Sequence, residues 1–418
     1  MAKLKRHNTQ SAIQARRPAS DIPVELPEDY GAIDQNEYYI TVSRRFKLAR
    51  LATLAVFLLY VLIMLVTHSE DLTVANLQYL LRDINLSSEG GEAFSGVSYS
   101  AEPIQRFAVY RGELAYVTGR QVNLYSATGS VGLSTTLSYE NPVLDVTEKY
   151  MMIYDVGGLS FSVYNSFSEL YRGETEFTII SGDMSESGSF VLVAQSRERR
   201  ATVYLYDSDF ERRSIYHKSD YVSDAALSDD GTRLAMTSFG TTDGSFYTDL
   251  YIYEPGVDEP VRVVRIAGEY PLSVEAMTDG FCVTTTAGMY FYTSDGAERG
   301  RYIHGGSIGM ITVSKDYAAF SVPENALGNE NRIVILDGNG SVCYNAVIAE
   351  KISDISVGAD GQAIRLSSGH AVMIDIAAGT ERSREISASA KKLIATGGGT
   401  ALLCTSSSAK TIDFLNLE

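Results

Sequence analysis

Tryptophan is absent from this 418-residue sequence, and cysteine occurs only three times. Three thiols in so long a chain make no disulfide framework, which excludes a small stapled secreted scaffold in any compartment. Basic residues are also scarce: 35 Lys and Arg stand against 52 Asp and Glu, a formal charge of −17. Nucleic-acid binding is dominated by cations meeting phosphates, so the chain as a whole is no general nucleic-acid binder. Histidine is rarer still, with five in all. No two of them fall at i, i+4 or beside a Cys pair, so zinc-type spacing is missing and no metal is expected.

What charge there is divides sharply along the chain. Residues 51–67 (LATLAVFLLYVLIMLVT) are seventeen in a row without a charge. At about 1.5 Å each they approach the length of a hydrocarbon core about 30 Å thick, which predicts a transmembrane helix. Arg44, Arg45, Lys47 and Arg50 precede the run, and His68, Ser69, Glu70 and Asp71 follow it. The positive-inside rule then places residues 1–50 in the cytoplasm and the C-terminal portion outside. A cleaved signal peptide would need an n-region of about fifty residues, and no small-x-small cleavage site follows; an uncleaved signal anchor fits better. Residues 43–48 (SRRFKL) approximate a twin-arginine signal, but orientation alone accounts for the arginines.

The first fifty residues hold nine basic and six acidic residues and Pro18, Pro23 and Pro27, without apolar periodicity. They read as a solvated, disordered tail of net charge +3. Residues 69–418 hold 26 basic and 46 acidic residues, net −20, so the acidity belongs to the exported part. Just past the membrane, 71–84 (DLTVANLQYLLRDI) predicts a short helix, with Leu72, Leu77, Leu80, Leu81 and Ile84 near one face. A Gly/Ser/Glu linker follows up to about residue 93.

From about Phe94 onward, short alternating runs of Val, Ile, Tyr, Phe and Leu are divided by Gly, Asp, Asn and Ser, the pattern of an all-β chain. One segment recurs, ending VNLY125, FSVY164, VYLY206, LYIY253, MYFY292, IVIL336, VMID375 and TIDF414, at separations of 39, 42, 47, 39, 44, 39 and 39 residues. A period near forty with four short strands per unit predicts a β-propeller of eight blades, or seven with a stray hairpin. Turn sequences such as Asp229-Asp230-Gly231, Asp360-Gly361, Ser187-Gly188 and Asp279-Gly280 mark a second hairpin in many units. The last unit ends after its third strand. Residues 94–100 (FSGVSYS) form a strand-like segment with no partner of their own, so pairing the two closes the ring and removes an open sheet edge. The Tyr pairs 204/206, 251/253 and 290/292 fall on single strand faces and are expected to pack between blades.

Motifs for catalysis are weak. Gly305-Gly306-Ser307-Ile308-Gly309 matches a nucleophile elbow, but that elbow needs a helix after it and a strand is expected here. Cys282, Cys343 and Cys404 each sit in an apolar strand and read as small buried hydrophobes. Asp207-Ser208-Asp209 and Asp229-Asp230-Gly231 lack the ligand alternation of a calcium loop and are turns, and Asn339-Gly340-Ser341 is a hairpin turn before it is a sequon. Three second-to-third-strand connections are long: 196–201, 238–249 and 322–331. Long loops on a rigid scaffold concentrate binding residues, which makes Arg197, Arg199, Arg200, Phe246, Tyr247, Asn329 and Asn331 the candidate contacts.

The layout resembles a domain-of-unknown-function family of single-pass, propeller-bearing membrane proteins of Gram-positive, clostridia-like bacteria. The resemblance rests on the basic tail, the anchor, a helix like Leu72-Thr-Val-Ala-Asn-Leu77-Gln-Tyr-Leu80-Leu81 and a first strand like Phe107-Ala-Val-Tyr110-Arg-Gly112, over about residues 45–418. It implies topology and fold, and no activity, cofactor or catalytic residue. The expectation is a binding or scaffold propeller for an extracytoplasmic protein, peptide or envelope polymer. A hydrolase or lyase working in the central channel is the alternative, and quinone-dependent propellers are disfavoured because their blades dock through Trp. Clustered, pKa-shifted channel acids favour the enzyme; a small or apolar lining favours the scaffold.

Overall fold

A computed structural model describes residues 37–67, 94–195, 200–358, 360–387 and 389–416. The chain divides into two units, residues 1–83 and 84–418.

In the first unit a single helix, α1 (Glu37–Thr67), carries the apolar run on its second half. It starts earlier than the apolar run because the last Pro and Gly of the tail are Pro27 and Gly31, and nothing after them breaks a helix. Residues 37–50 are thus helical, not an irregular tail. From Leu51 to Leu62 the large apolar side chains other than Val61 are more than half exposed, on all sides of the helix. Among the described residues no helix is long and apolar enough to cross a membrane. The described side chains of this helix, residues 44–62, include Arg44, Arg45, Lys47 and Arg50 at their N-terminal end. The remainder of the tail, the 71–84 helix and the linker lie outside the described residues.

The second unit is an eight-bladed β-propeller of eight four-stranded antiparallel sheets. The blades span residues 106–136, 142–174, 178–218, 221–267, 271–303, 311–348 and 352–385, and blade 8 combines 390–413 with the strand Val97–Ser98. Each recurrent Tyr-containing segment is the third strand of its blade. The closing strand pairs as expected, Val97 with Ala409 and Ser98 with Ser408. The Thr411 amide donates to the Phe94 carbonyl at 3.0 Å, and the Tyr99 amide to the Ser407 carbonyl at 3.0 Å. Tyr99 stacks on Tyr116 of blade 1 with centroids 4.4 Å apart, so the closing segment also fastens blade 8 to blade 1.

Eight apolar clusters fill the eight gaps between neighbouring blades, which is why alternate residues on both faces of the middle strands are buried. Tyrosine takes the place of the missing Trp: Tyr204, Tyr206, Tyr253, Tyr290 and Tyr292 are buried, and Tyr206 stacks on Phe190 at 4.5 Å. Cys282 and Cys404 are buried as expected. Cys343 is not; it lies on the outermost strand of blade 6 (Val342–Ile348), where no further blade covers it. The blade 5 hairpin shows how strictly the turns are specified. Asp279 takes the left-handed conformation, φ 60°, while a Cβ on Gly280 would stand only 1.9 Å from the Tyr292 carbonyl oxygen.

Candidate functional site

On the face bearing the inter-blade connections, blade 4 carries the longest paired strands among the described residues. Its second and third strands, Leu234–Thr242 and Ser245–Tyr253, are nine residues each, against five to seven in the other blades. The sequence reads 238–249 as a long loop; the structure continues the ladder to Thr242 opposite Ser245 and turns on Asp243 (φ 52°) and Gly244 (φ 80°). Two successive positive φ values make a type I′ turn, the geometry that lets a hairpin keep its twist to the tip. Two to four extra residues per strand lengthen this hairpin by roughly 7–13 Å.

Phe246, half exposed, sits near the tip and starts a file of rings. It meets Tyr270 edge-on at 5.9 Å, Tyr270 lies 4.5 Å from Phe239, and Phe239 stacks on Tyr221 at 5.6 Å. Arg200 ends the file with its guanidinium 5.2 Å from the Tyr221 centroid. Tyr247 points to the other side of the hairpin. There Arg265 covers its ring at 4.0 Å and is held by Asp249 at 2.6 Å, while Gly240 leaves room for the ring.

The remaining candidates separate from this file. Arg197 and Arg199 lie outside the described residues. Asn331 is buried and spends its amide on the Gly328 and Glu350 carbonyls at 2.9 and 2.8 Å, so it holds the blade 6 loop in shape. Asn329 accepts a hydrogen bond from Asn325 within the same loop. Sequence reasoning missed Tyr221, Phe239 and Tyr270. The available signal was that Tyr221 and Tyr270 sit directly beside inter-blade connections, which emerge on the same face as the long hairpin.

The channel wall holds a second set that sequence reasoning missed: Asp145, Asp183, Asp224 and Glu275, on the innermost strands of blades 2, 3, 4 and 5. Their spacing of 38, 41 and 51 residues follows the blade period. Each Asp bridges to the next blade by accepting a backbone amide: Met184 to Asp145 (2.7 Å), Leu227 to Asp183 (2.7 Å) and Val274 to Asp224 (2.9 Å). Glu275 makes no hydrogen bond to the described residues. Loss of water pushes Asp145 and Asp224 up to about 6 and Glu275 to about 8, and lifts Asp183 well above the usual carboxylate range. The negative neighbours of Asp183 and Glu275 add to the shift.

Other motifs resolve as structure. Gly305–Gly309 joins blades 5 and 6 and leads into the strand Ile311–Val313, so no nucleophile elbow forms. Asp207 accepts the amides of Asp209 and Glu211, closing its own turn. Among the described residues no set of three or more His, Cys, Asp or Glu is placed to hold a metal ion.

A sequence profile matches residues 95–414, which is the ring from its closing strand to its last strand. The chain belongs to a family of unknown function (DUF5711). No curated protein matches it. Among solved structures, this family member is similar to the computationally designed Ika8 protein, at a TM-score of 0.58, 10% identity and coverage of 75% of this chain and 98% of that one. It is also similar to BamB from Moraxella catarrhalis, at a TM-score of 0.53, 10% identity and coverage of 78% and 98%. At that identity the likeness concerns the propeller fold.

Proposed function

We propose that this chain is a membrane-anchored propeller that binds a protein, peptide or cell-envelope polymer outside the membrane through the connection face of blades 4 and 5. The ring file Phe246–Tyr270–Phe239–Tyr221 on a projecting hairpin carries this reading. Partly exposed aromatics clustered on a rigid element, with an Arg at the end, are the composition of an interface anchor. The anchor and its orientation are supported by the uncharged run 51–67, its basic N-terminal flank, and apolar side chains exposed all round α1. The family resemblance supports a Gram-positive envelope as the setting.

The test is chemical cross-linking of the full chain in envelope fractions. A species captured by wild type is expected to fall at least tenfold with F246A/Y270A, about 1.4 kcal/mol or more of binding. It should be retained with V342A on the outer strand of blade 6. Equal capture by all three chains removes blades 4 and 5 from the interface.

The channel acids favour a second reading, an extracytoplasmic hydrolase or lyase, with Glu275 as the one carboxyl of the four free of a backbone amide. It is the weaker reading, because Asp145, Asp183 and Asp224 already serve as struts between blades.

A further inference from the structure

We propose that the inner wall of blades 2 to 5 is a pH-sensitive clamp, in which shared protons on Asp145, Asp183, Asp224 and Glu275 let neighbouring inner strands close, and their loss loosens that half of the ring alone. The inference does not depend on what the connection face binds.

The geometry begins with an imbalance. Four carboxyls occupy successive inner strands, and the groups that face them are acidic or neutral. Asp145 faces Glu186; Asp183 faces Asp145, Asp224 and Glu275; Asp224 faces the hydroxyl of Ser181; and Glu275 lies near Asp145, Asp224 and the thiol of Cys282. The hydroxyl of Tyr154 faces all three aspartates. One cation close to this set is Lys315, in the first hairpin of blade 6. It reaches Glu186 of blade 3 at 3.1 Å and Asp229 of blade 4 at 3.6 Å, with Glu148 of blade 2 close by. Lys315 is therefore already matched by acids of its own.

Blade 7 supplies the contrast. Asp354 makes the same strut, accepting the Leu393 amide of blade 8 at 2.9 Å, but Lys392 meets its other oxygen at 2.9 Å. Blade 7 thus balances its strut with a cation, whereas among the described residues no ion pair reaches Asp145, Asp183, Asp224 or Glu275.

Half-buried carboxylates crowded on one wall without paired cations repel one another and are poorly hydrated, so they hold protons at a pH where free carboxylates do not. The protonated form keeps each strut, because an Asp oxygen still accepts the amide of the next blade while the other carries the proton. The sign follows from proton counting. Between pH 4 and 8 the native wall binds more protons than the unfolded chain, so stability falls as pH rises, most steeply around pH 5 to 6, where all four wall carboxyls still hold protons that the unfolded chain has released, and less steeply from there to pH 8.

The test is hydrogen exchange of the full chain in detergent micelles from pH 5.5 to 8.5 at constant ionic strength, corrected for intrinsic rates. Protection of the Met184, Leu227 and Val274 amides should fall tenfold or more, while Leu393 stays level. D183N and E275Q, which keep an acceptor oxygen, should flatten the profile and raise protection at pH 8.5. A level wild-type profile overturns the clamp, as does an equal fall at Leu393 or an unchanged slope in the variants. Restoration of protection at pH 8.5 by millimolar Ca²⁺ or Mg²⁺ also overturns it, since the wall would then be neutralised by a bound cation.

Discussion

A chain beginning at Ala101 is expected to melt about 10 °C below one beginning at Ile84. The seven residues 94–100 bury Phe94, Val97 and Tyr99, and their backbone covers the edge of the last strand, Ser408–Asp413. Three such side chains contribute about 1.5–3 kcal/mol each, and the ladder and hydroxyl bonds about 1 kcal/mol apiece. A loss of roughly 6–7 kcal/mol follows, after allowing for residual burial in the unfolded chain. With an unfolding entropy of about 2.1 cal/mol/K per residue, a ring of this size loses about 10 °C. The open edge adds a second symptom, association through strand pairing, visible as early-eluting species on size exclusion. A peptide of residues 94–100 supplied in trans should reverse both. Y99F separates the contributions: it keeps the stack on Tyr116 but loses the hydroxyl bonds to the Thr405 and Ser408 carbonyls, at 2.9 and 2.7 Å, and should cost only about 1–2 kcal/mol. An unchanged melting temperature on truncation would mean that blade 8 is stable with three strands.

The closing strand was legible because propeller periodicity counts strands. Eight third-strand segments and one unpaired run at the start leave a single arrangement that satisfies every edge. The same periodicity made the tyrosines readable as packing residues, since positions two apart on a strand share a face. The site was less legible. Residues 238–249 contain Gly240, Asp243 and Gly244, which look like loop residues when taken together. In fact Asp243-Gly244 forms the turn and Gly240 admits the Tyr247 ring, so the segment is a longer ladder. The ring file is assembled from two blades, and residues such as Phe239 and Tyr270, 31 apart, carry no local sign that they meet. The channel acids do follow the blade period, but one Asp per blade looks like turn chemistry until the strand register places it on the channel wall.

Replacing Arg365 by Ala is expected to cost about 3 kcal/mol and to loosen the junction of blades 6 and 7. Arg365 lies on the second strand of blade 7 (Gln362–Ser367) and is 6% exposed, unusual for a guanidinium. Its two terminal nitrogens reach Glu350 at 3.3 Å and Glu381 at 3.5 Å, and Tyr344 of blade 6 donates to the other oxygen of Glu381. Glu350 is anchored from the other side, where its carbonyl accepts the Asn331 amide. A hydroxyl bond from Ser367, and then Arg365, hold the Glu350 carboxyl below its usual range. Its contribution is therefore present above about pH 4.5 and is lost as pH falls below that value. Removing the cation strands two carboxylates beside a buried cavity, and breaking such a pair costs about 3–5 kcal/mol in a fully buried setting, less here because both glutamates are partly exposed. R365M tests the cause. Methionine restores the packing volume without the charge, so a loss of about 1 kcal/mol assigns most of the alanine effect to the cavity, whereas a loss equal to that of R365A assigns it to the uncompensated glutamates. Lysine reaches only one glutamate at a time and should fall between them. Urea unfolding at pH 7 and pH 4 separates these cases, because a charge-dependent loss shrinks as Glu350 takes up its proton, while a cavity remains at both values.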